Sequence, residues 1–302
     1  MNSMSISELK KWMDEGKDFI LVDTLTSDHF EKVHLPGAVN ACVFEVMFRN
    51  RIESIISAKD RQIILYGSSE TSHDAATAAE KLDRLGYRNV MTLRSGIKAW
   101  REAGYPLEGN DIATADQSEK LRLEKKSYQI DTERSLIEWT GRNPNTKHFG
   151  TLAISKGDIK VDDGKITGSF EIDIHSIKNK SLEGDELQPV LIAHLLSDDF
   201  FFADKFPKVA FTIESAKQVE QPTLTAPNFQ VDGTLSLRGV SGKIDFPATV
   251  SNLDEQAITA EAHFDIDRTR WNIIYGSSRF FEHLGMHVVF DLISLQVRIV
   301  AK

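Results

Sequence analysis

Residues 164–174, GKITGSFEIDI, alternate strictly. Ile166, Phe170, Ile172 and Ile174 fall on one face, and Thr167, Ser169, Glu171 and Asp173 on the other. Period two over this length predicts a strand with one buried and one wet face. The same rhythm returns in FQVDGTLSLR, with Phe229, Val231, Leu235 and Leu237 together. It returns again in ITAEAHFDID, with Ile258, Ala260, Ala262, Phe264 and Ile266 together. Several one-sided strands must bury that face against each other, which requires an antiparallel sandwich or barrel. The helical exceptions expected here are short, at 189–197 and 278–285.

Upstream of residue 108 the rhythm is different. FILVD (19–23) and QIILYG (62–67) read as strands apolar on both faces, and VMTLRSG (90–96) as a third. Helical patterns at 5–15, 72–85 and 96–103 lie between and after them, the last two stopped by Gly86 and Gly104. Alternation of this kind predicts an α/β layer with a parallel sheet. Residues 109–126 are polar and read as a linker, which gives domains at 1–108 and 127–302.

Composition narrows the function classes. A net charge of -9 argues against a general nucleic-acid binder. The single cysteine, Cys42, excludes an intrachain disulfide and a cysteine-rich metal site. The charged N-terminus has no apolar core of a signal peptide, and no run is long enough to span a membrane, so a cytoplasmic location is expected. Oligomeric state is not encoded in any feature of the chain.

In the first half, LVDTLTSDHFEKVHLPGAVN and LGYRNVMTLRSGIKAWREAGYPLE resemble the rhodanese family over residues 5–108. Asp23, the turn His34-Leu35-Pro36-Gly37-Ala38, Ala99-Trp100 and Gly104-Tyr105-Pro106 carry the resemblance. It implies sulfur transfer through a cysteine persulfide in the loop after the central strand, where backbone N–H groups and a helix N-terminus hold an anion. Here that position is Gly67, followed by Ser68, Ser69, Glu70, Thr71 and Ser72, and Leu25 stands where an arginine is usual. The loop therefore reads as vestigial. An enzyme of sulfurtransferase or phosphatase type would have to use Ser68 or Ser69 with His73 as base. The plainer expectation is that Ser72 caps the next helix and His73 is solvated. Cys42 reads as a buried spectator, His34 as hydrogen-bonded in its turn and His29 as exposed.

From Tyr128 onward, YQIDTERSLIEWTG, KHFGTLAISKGDIKVDDGKITGSFEIDIHSI, HLLSDDFFFADKFPKVAFTI, VDGTLSLRGVSGKIDFP and FDIDRTRWNIIYGS resemble the YceI-like family. The resemblance implies a lipocalin-like barrel of about eight strands holding a polyisoprenoid or similar amphiphile, such as a quinone-like lipid, with no other cofactor. Of the chain's 17 Phe, 13 lie in this half, enough to fill a core or to line a pocket. Candidate ligand contacts on strand faces are Trp139, Phe170, Ile172, Phe211, Phe229, Phe264 and Phe290. Leu195 and Phe201 fall near one connection, and Trp271, Tyr275 and Phe280 in another that could cover an end.

His148 and His194 would need a third ligand, such as Asp185, Glu186 or Glu282, to hold a metal, and structural hydrogen bonding is the simpler reading. His283 and His287 straddle Gly285, which breaks a shared helical face. Arg238, Arg268 and Arg270 sit at strand ends, either solvated, paired with Asp265 and Asp267, or facing a head group. The leading expectation is a non-catalytic lipid binder whose first domain serves for protein docking or anion sensing. The alternatives are the serine-based enzyme and an interaction protein with a filled barrel.

Overall fold

The computed structural model describes residues 2–113, 121–220, 225–254 and 256–302. The chain forms two compact units, Met1–Lys120 and Leu121–Lys302.

The first unit is an α/β layer. It comprises β1 (Asn2–Met4), α1 (Ile6–Asp14), β2 (Ile20–Asp23), α2 (Ser27–Lys32), β3 (Val39–Asn40) and α3 (Phe48–Ile55). β4 (Ile63–Tyr66), α4 (Asp74–Arg84), β5 (Val90–Leu93) and α5 (Gly96–Glu102) complete it. The five strands run parallel in the order β1-β5-β4-β2-β3. Apolarity on both strand faces has its cause here: Ile63 and Leu65 enter one core, Ile64 and Tyr66 the other. The four elements without an obvious sequence pattern, β1, α2, β3 and α3, are short.

The second unit contains β6 (Ser127–Gln129), β7 (Leu136–Arg142), β8 (Lys147–Leu152), β9 (Ile154–Asp162), β10 (Lys165–Asp173) and β11 (Lys178–Asn179). Helix α6 (Leu187–Leu196) follows, then β12 (Lys208–Gln218), β13 (Phe229–Leu237), β14 (Val240–Asn252), β15 (Ile258–Asp267) and β16 (Leu292–Ala301). The 11 strands form one sheet, antiparallel throughout. β8 and β9 are separated only by Ala153, so they act as one bent strand. One end of it pairs with β7 and the other with β10. The pairing therefore returns on itself through β7, β16, β15, β14, β13, β12, β10 and the bent strand, an eight-stranded lipocalin-like barrel. β6 and β11 are accessory strands on its edges.

Two details depart from the sequence reading, and one stretch of it lies outside the described residues. Residues 278–285 are a single turn followed by irregular chain, because His283 and Gly285 adopt left-handed φ of 56° and 54°, which a right-handed helix does not permit. Residues 114–120 of the expected linker lie outside the described residues. Leu121 and Leu123, placed in that linker by composition, pack against the barrel core.

Candidate functional site

The barrel interior is not full. An apolar chamber of about 220 Å³ occupies one end. A second of about 80 Å³ lies beyond it. Phe170, Phe211, Phe246 and Val297 border both, forming a waist. The aromatic waist is well ordered: Phe246 stacks on Phe264 with centroids 4.1 Å apart, and Phe170 meets Phe211 at 5.2 Å. Gly233 lies under the Phe211 ring, where an added Cβ would come within 2.5 Å of it. Dry apolar cavities of this scale persist when their walls cannot collapse, and they bind apolar molecules.

A cover lies over the larger chamber. Leu191 and Leu195 of α6, Phe200 and Phe201 after it, and Ile273 and Val289 further on all line this chamber. Two arginines hold the cover by its backbone. Arg238 donates to the carbonyls of Asp198 (2.6 Å), Phe200 (2.8 Å) and Asn272 (3.0 Å). Arg268 is buried and donates to those of Ile273 (2.6 Å), Val289 (3.0 Å) and Phe290 (3.1 Å). Both are thus structural clamps. Asp267 is held by Arg279 at 2.7 Å and by the Thr269 hydroxyl at 2.6 Å. Burial opposes its ionisation, but these bonds outweigh that and hold its carboxyl below the usual value. Arg270 donates to the Lys243 carbonyl at 2.6 Å.

Of the expected ligand contacts, Trp139, Phe170, Ile172, Leu195, Phe201, Phe211 and Phe264 line the larger chamber, and Phe229 lines the smaller. Four stand off the cavity. Trp271 is fully buried with its indole N–H bonded to the Leu235 carbonyl at 3.0 Å. Tyr275 meets His194 edge-on at 4.7 Å and Phe200 at a tilt at 5.3 Å. Phe280 and Phe290 are exposed, the latter because residue 290 lies in irregular chain before β16. Phe246 was missed, although Ile244, Phe246 and Ala248 alternate as the other strands do. Pro247 within that run obscured the pattern.

Of the candidate metal-ligating histidines, His148, His194 and His287 act as hydrogen-bonding groups. His194 reaches Asp199 at 3.0 Å, and His287 lies 3.4 Å from the Tyr275 hydroxyl. Among the described residues no three metal-ligating side chains converge. One polar group in the wall is unsatisfied: Trp139 is buried, and its Nε1–H has no hydrogen-bond partner. Such a donor costs about 1–3 kcal/mol when left unpaired in the folded protein.

In the first unit, the loop after β4 is arranged around Asp74. The Ser68 backbone N–H and hydroxyl each donate to Asp74 Oδ2 at 3.1 Å, and the Ser72 hydroxyl donates to the same oxygen. Ser72 therefore does not cap α4, whose first turn has no side-chain cap. The N-terminus of α5 holds the other side of the loop, with Ile97 and Lys98 N–H on the carbonyls of Gly67 and Ser68. Gly96, at φ 61°, sits so close that a Cβ would meet the Gly67 oxygen at 2.5 Å. Ser69 pairs with Thr71, Glu70 with Arg94, and His73 is exposed. Cys42 is buried on a different segment. His34 bonds the Phe30 carbonyl at 2.7 Å. His29, expected at the surface, is half-buried, and this burial lowers its pKa against the pull of Asp23.

A closed antiparallel barrel with an apolar, covered chamber defines a lipocalin-like class of protein, here preceded in sequence by a parallel α/β unit. Residues 128–301 match the YceI-like domain, and the chain belongs to that family. Residues 5–103 match the rhodanese-like domain. The chain is 28% identical over 92 residues to the uncharacterized protein YibN of Escherichia coli (strain K12). That match covers 30% of this chain and 62% of YibN, so the chain spans about three fifths of the relative's length. Among solved structures, Burkholderia cenocepacia BcnA is similar at 19% identity and a TM-score of 0.46, over 57% of this chain and 99% of that one. A polyisoprenoid binding domain from Saccharophagus degradans is similar at 15% identity and a TM-score of 0.41, over 58% and 97%. No helix among the described residues is long and apolar enough to cross a membrane.

Proposed function

We propose that the barrel binds the chain of an apolar or amphiphilic lipid, and that the rhodanese-like unit is a non-catalytic docking module. The observation that carries the first part is the two-chamber apolar cavity under a clamped cover. A filled, inert barrel would lack it.

Size refines the ligand. An engineered cavity of about 150 Å³ accommodates benzene, or ~25 Å³ per carbon. The two chambers then hold about a dozen carbons. A long polyisoprenoid would need the waist and cover to move, whereas a short isoprenoid or single acyl chain fits as they stand.

The second part rests on Gly67 and Asp74. The loop N–H and hydroxyls that could hold an incoming anion already hold an internal carboxylate, which counts against anion sensing and against a serine nucleophile. Exposed Phe44, Val46 and Met47 supply an apolar surface suited to docking.

Native mass spectrometry of freshly purified full-length protein tests the lipid reading. Adducts of one apolar molecule per chain, released by solvent, are expected. A preparation that carries none and also takes up no ten-carbon apolar probe would refute it.

A further inference from the structure

We propose that Trp139 and His148 form a seat for an oxygen-bearing head group inside the barrel. The ligand class is therefore a single-chain lipid that ends in a carboxylate or carbonyl. This assignment rests on the lipid-binding reading and adds the polarity and orientation of the ligand.

The two residues belong to the β7–β8 hairpin. Trp139 pairs with Gly150, and His148 with Gly141, so the rings lie on a diagonal with a glycine opposite each. Diagonal neighbours of this kind are about 7–8 Å apart, within joint reach of one head group. Both line the larger chamber; its other polar wall residues are Asn143, Arg268 and Arg142, which donates to Ser294 Oγ at 2.9 Å, and the rest of the lining is apolar.

Each carries a donor. Trp139 is 8% exposed, and its indole N–H is buried without a partner. An indole nitrogen can only donate, so an acceptor is what the site lacks. His148 is fixed by a second set of bonds. Ser181 Oγ receives the Asn179 side-chain N–H at 2.9 Å and the Phe149 N–H at 3.4 Å. Asn179 is oriented by its own oxygen, which accepts from Leu182 N–H at 2.8 Å. With both acceptor positions used, the Ser181 hydroxyl donates its proton to His148 Nδ1, 3.2 Å away. The ring is then the tautomer with hydrogen on Nε2, a second donor. No partner for Nε2 occurs among the described residues. Trp271 gives the contrast within the same barrel, since its N–H is satisfied by the Leu235 carbonyl. The smaller chamber beyond the waist has no comparable donor, which directs the tail there and the head toward the hairpin.

Three ten-carbon probes test this on the full chain by calorimetry: decanoate, 2-decanone and naphthalene, which has no oxygen. Trp139→Phe keeps the ring and removes the N–H. It is expected to weaken the tighter of the two oxygen ligands about tenfold while changing naphthalene less than twofold. Which of the two binds more tightly distinguishes a carboxylate from a carbonyl head. The Trp139 indole proton should move on adding the oxygen ligand and not on adding naphthalene. His148→Phe should weaken the same ligand several-fold, with His148→Gln recovering most of the loss. Unchanged oxygen-ligand affinity in Trp139→Phe, with naphthalene still bound, would overturn the head-group seat and leave the cavity reading intact. Failure of all three probes to bind the parent protein would overturn both.

Discussion

Placing a cysteine at position 67 should not produce sulfur transfer, because Asp74 occupies the space its side chain would need. A Cβ on Gly67 would lie 2.6 Å from Asp74 Cβ and 2.8 Å from its Oδ2, with the Ala75 nitrogen at 3.2 Å. Forcing a side chain into such a site costs about 1–3 kcal/mol. Removing the Asp74 carboxylate alone forfeits its three bonds from Ser68 and Ser72, a loss of about 1–2 kcal/mol since the hydroxyls can turn to water. The two costs share atoms, so they cannot add. Gly67→Cys with Asp74→Gly removes both clashing atoms, and the pair should be favourably coupled by about 1 kcal/mol or more. Gly67→Cys with Asp74→Ala keeps the Cβ at 2.6 Å and should recover less. The assay is urea unfolding of the full chain, followed at the β4 amides, Ile63–Tyr66, with thiosulfate–cyanide turnover alongside. Additivity to within about 0.5 kcal/mol, or turnover by Gly67→Cys alone, would refute the closure.

Arg268→Met strips donors from three carbonyls of the cover and should destabilise the second unit by about 3 kcal/mol. Hydrogen exchange should accelerate first at the Val289 and Phe290 amides; equal acceleration across the barrel strands would contradict a clamp. Asp23 and Asp267 should also contribute to the acid response of their units with opposite signs. Burial raises the Asp23 carboxyl above its ordinary value, against the opposing Tyr66 phenol and Leu25 N–H. The folded state then binds that proton more tightly than the unfolded chain, so this group adds stability as pH falls through the raised value, while His29, lowered by burial, takes some away below 6.5. Asp267 is depressed, so its contribution is complete above 3.8 and is lost as pH falls through the lower folded value. Amide-resolved unfolding of Asp23→Asn and Asp267→Asn beside the parent between about pH 6 and pH 3 checks both signs; the same pH trend in the two differences would refute the assignment.

Both fold classes were legible in the residues because burial geometry writes directly into periodicity. Ile166, Phe170 and Ile172 alternate because one face of β10 is in the barrel, and Ile63 to Tyr66 do not because β4 is covered on both sides. Segments whose conformation is set by distant partners were not legible. The turn at 278–285 reads as a helix until His283 and Gly285 take left-handed angles, and the cover is held by Arg238 and Arg268 through carbonyls, which have no side-chain signature. Eight of the twelve expected contacts line the cavity, all of them on strands or near α6. The four that do not are in the connection after β15, where aromatic content reported edge-on ring contacts, a buried structural tryptophan and exposure. The closure of the first-unit loop needed the position of Asp74 relative to Gly67, seven residues away and on another element.

Buried donors separate the two candidate sites more sharply than family resemblance does. Such groups are expected to be satisfied, and an exception calls for an absent ligand or water. In the loop after β4 the Ser68 N–H, its hydroxyl and that of Ser72 all find one internal carboxylate. An external anion would have to displace a charge that is covalently part of the chain and already well placed, so this loop is self-satisfied. In the barrel the Trp139 indole N–H has no partner, and a water placed there would have few polar neighbours to hold it. The satisfied loop can be exposed to solvent without a ligand at no cost. The barrel carries an energetic deficit that a lipid oxygen removes, which makes the apolar chamber the site where binding and stability should be coupled.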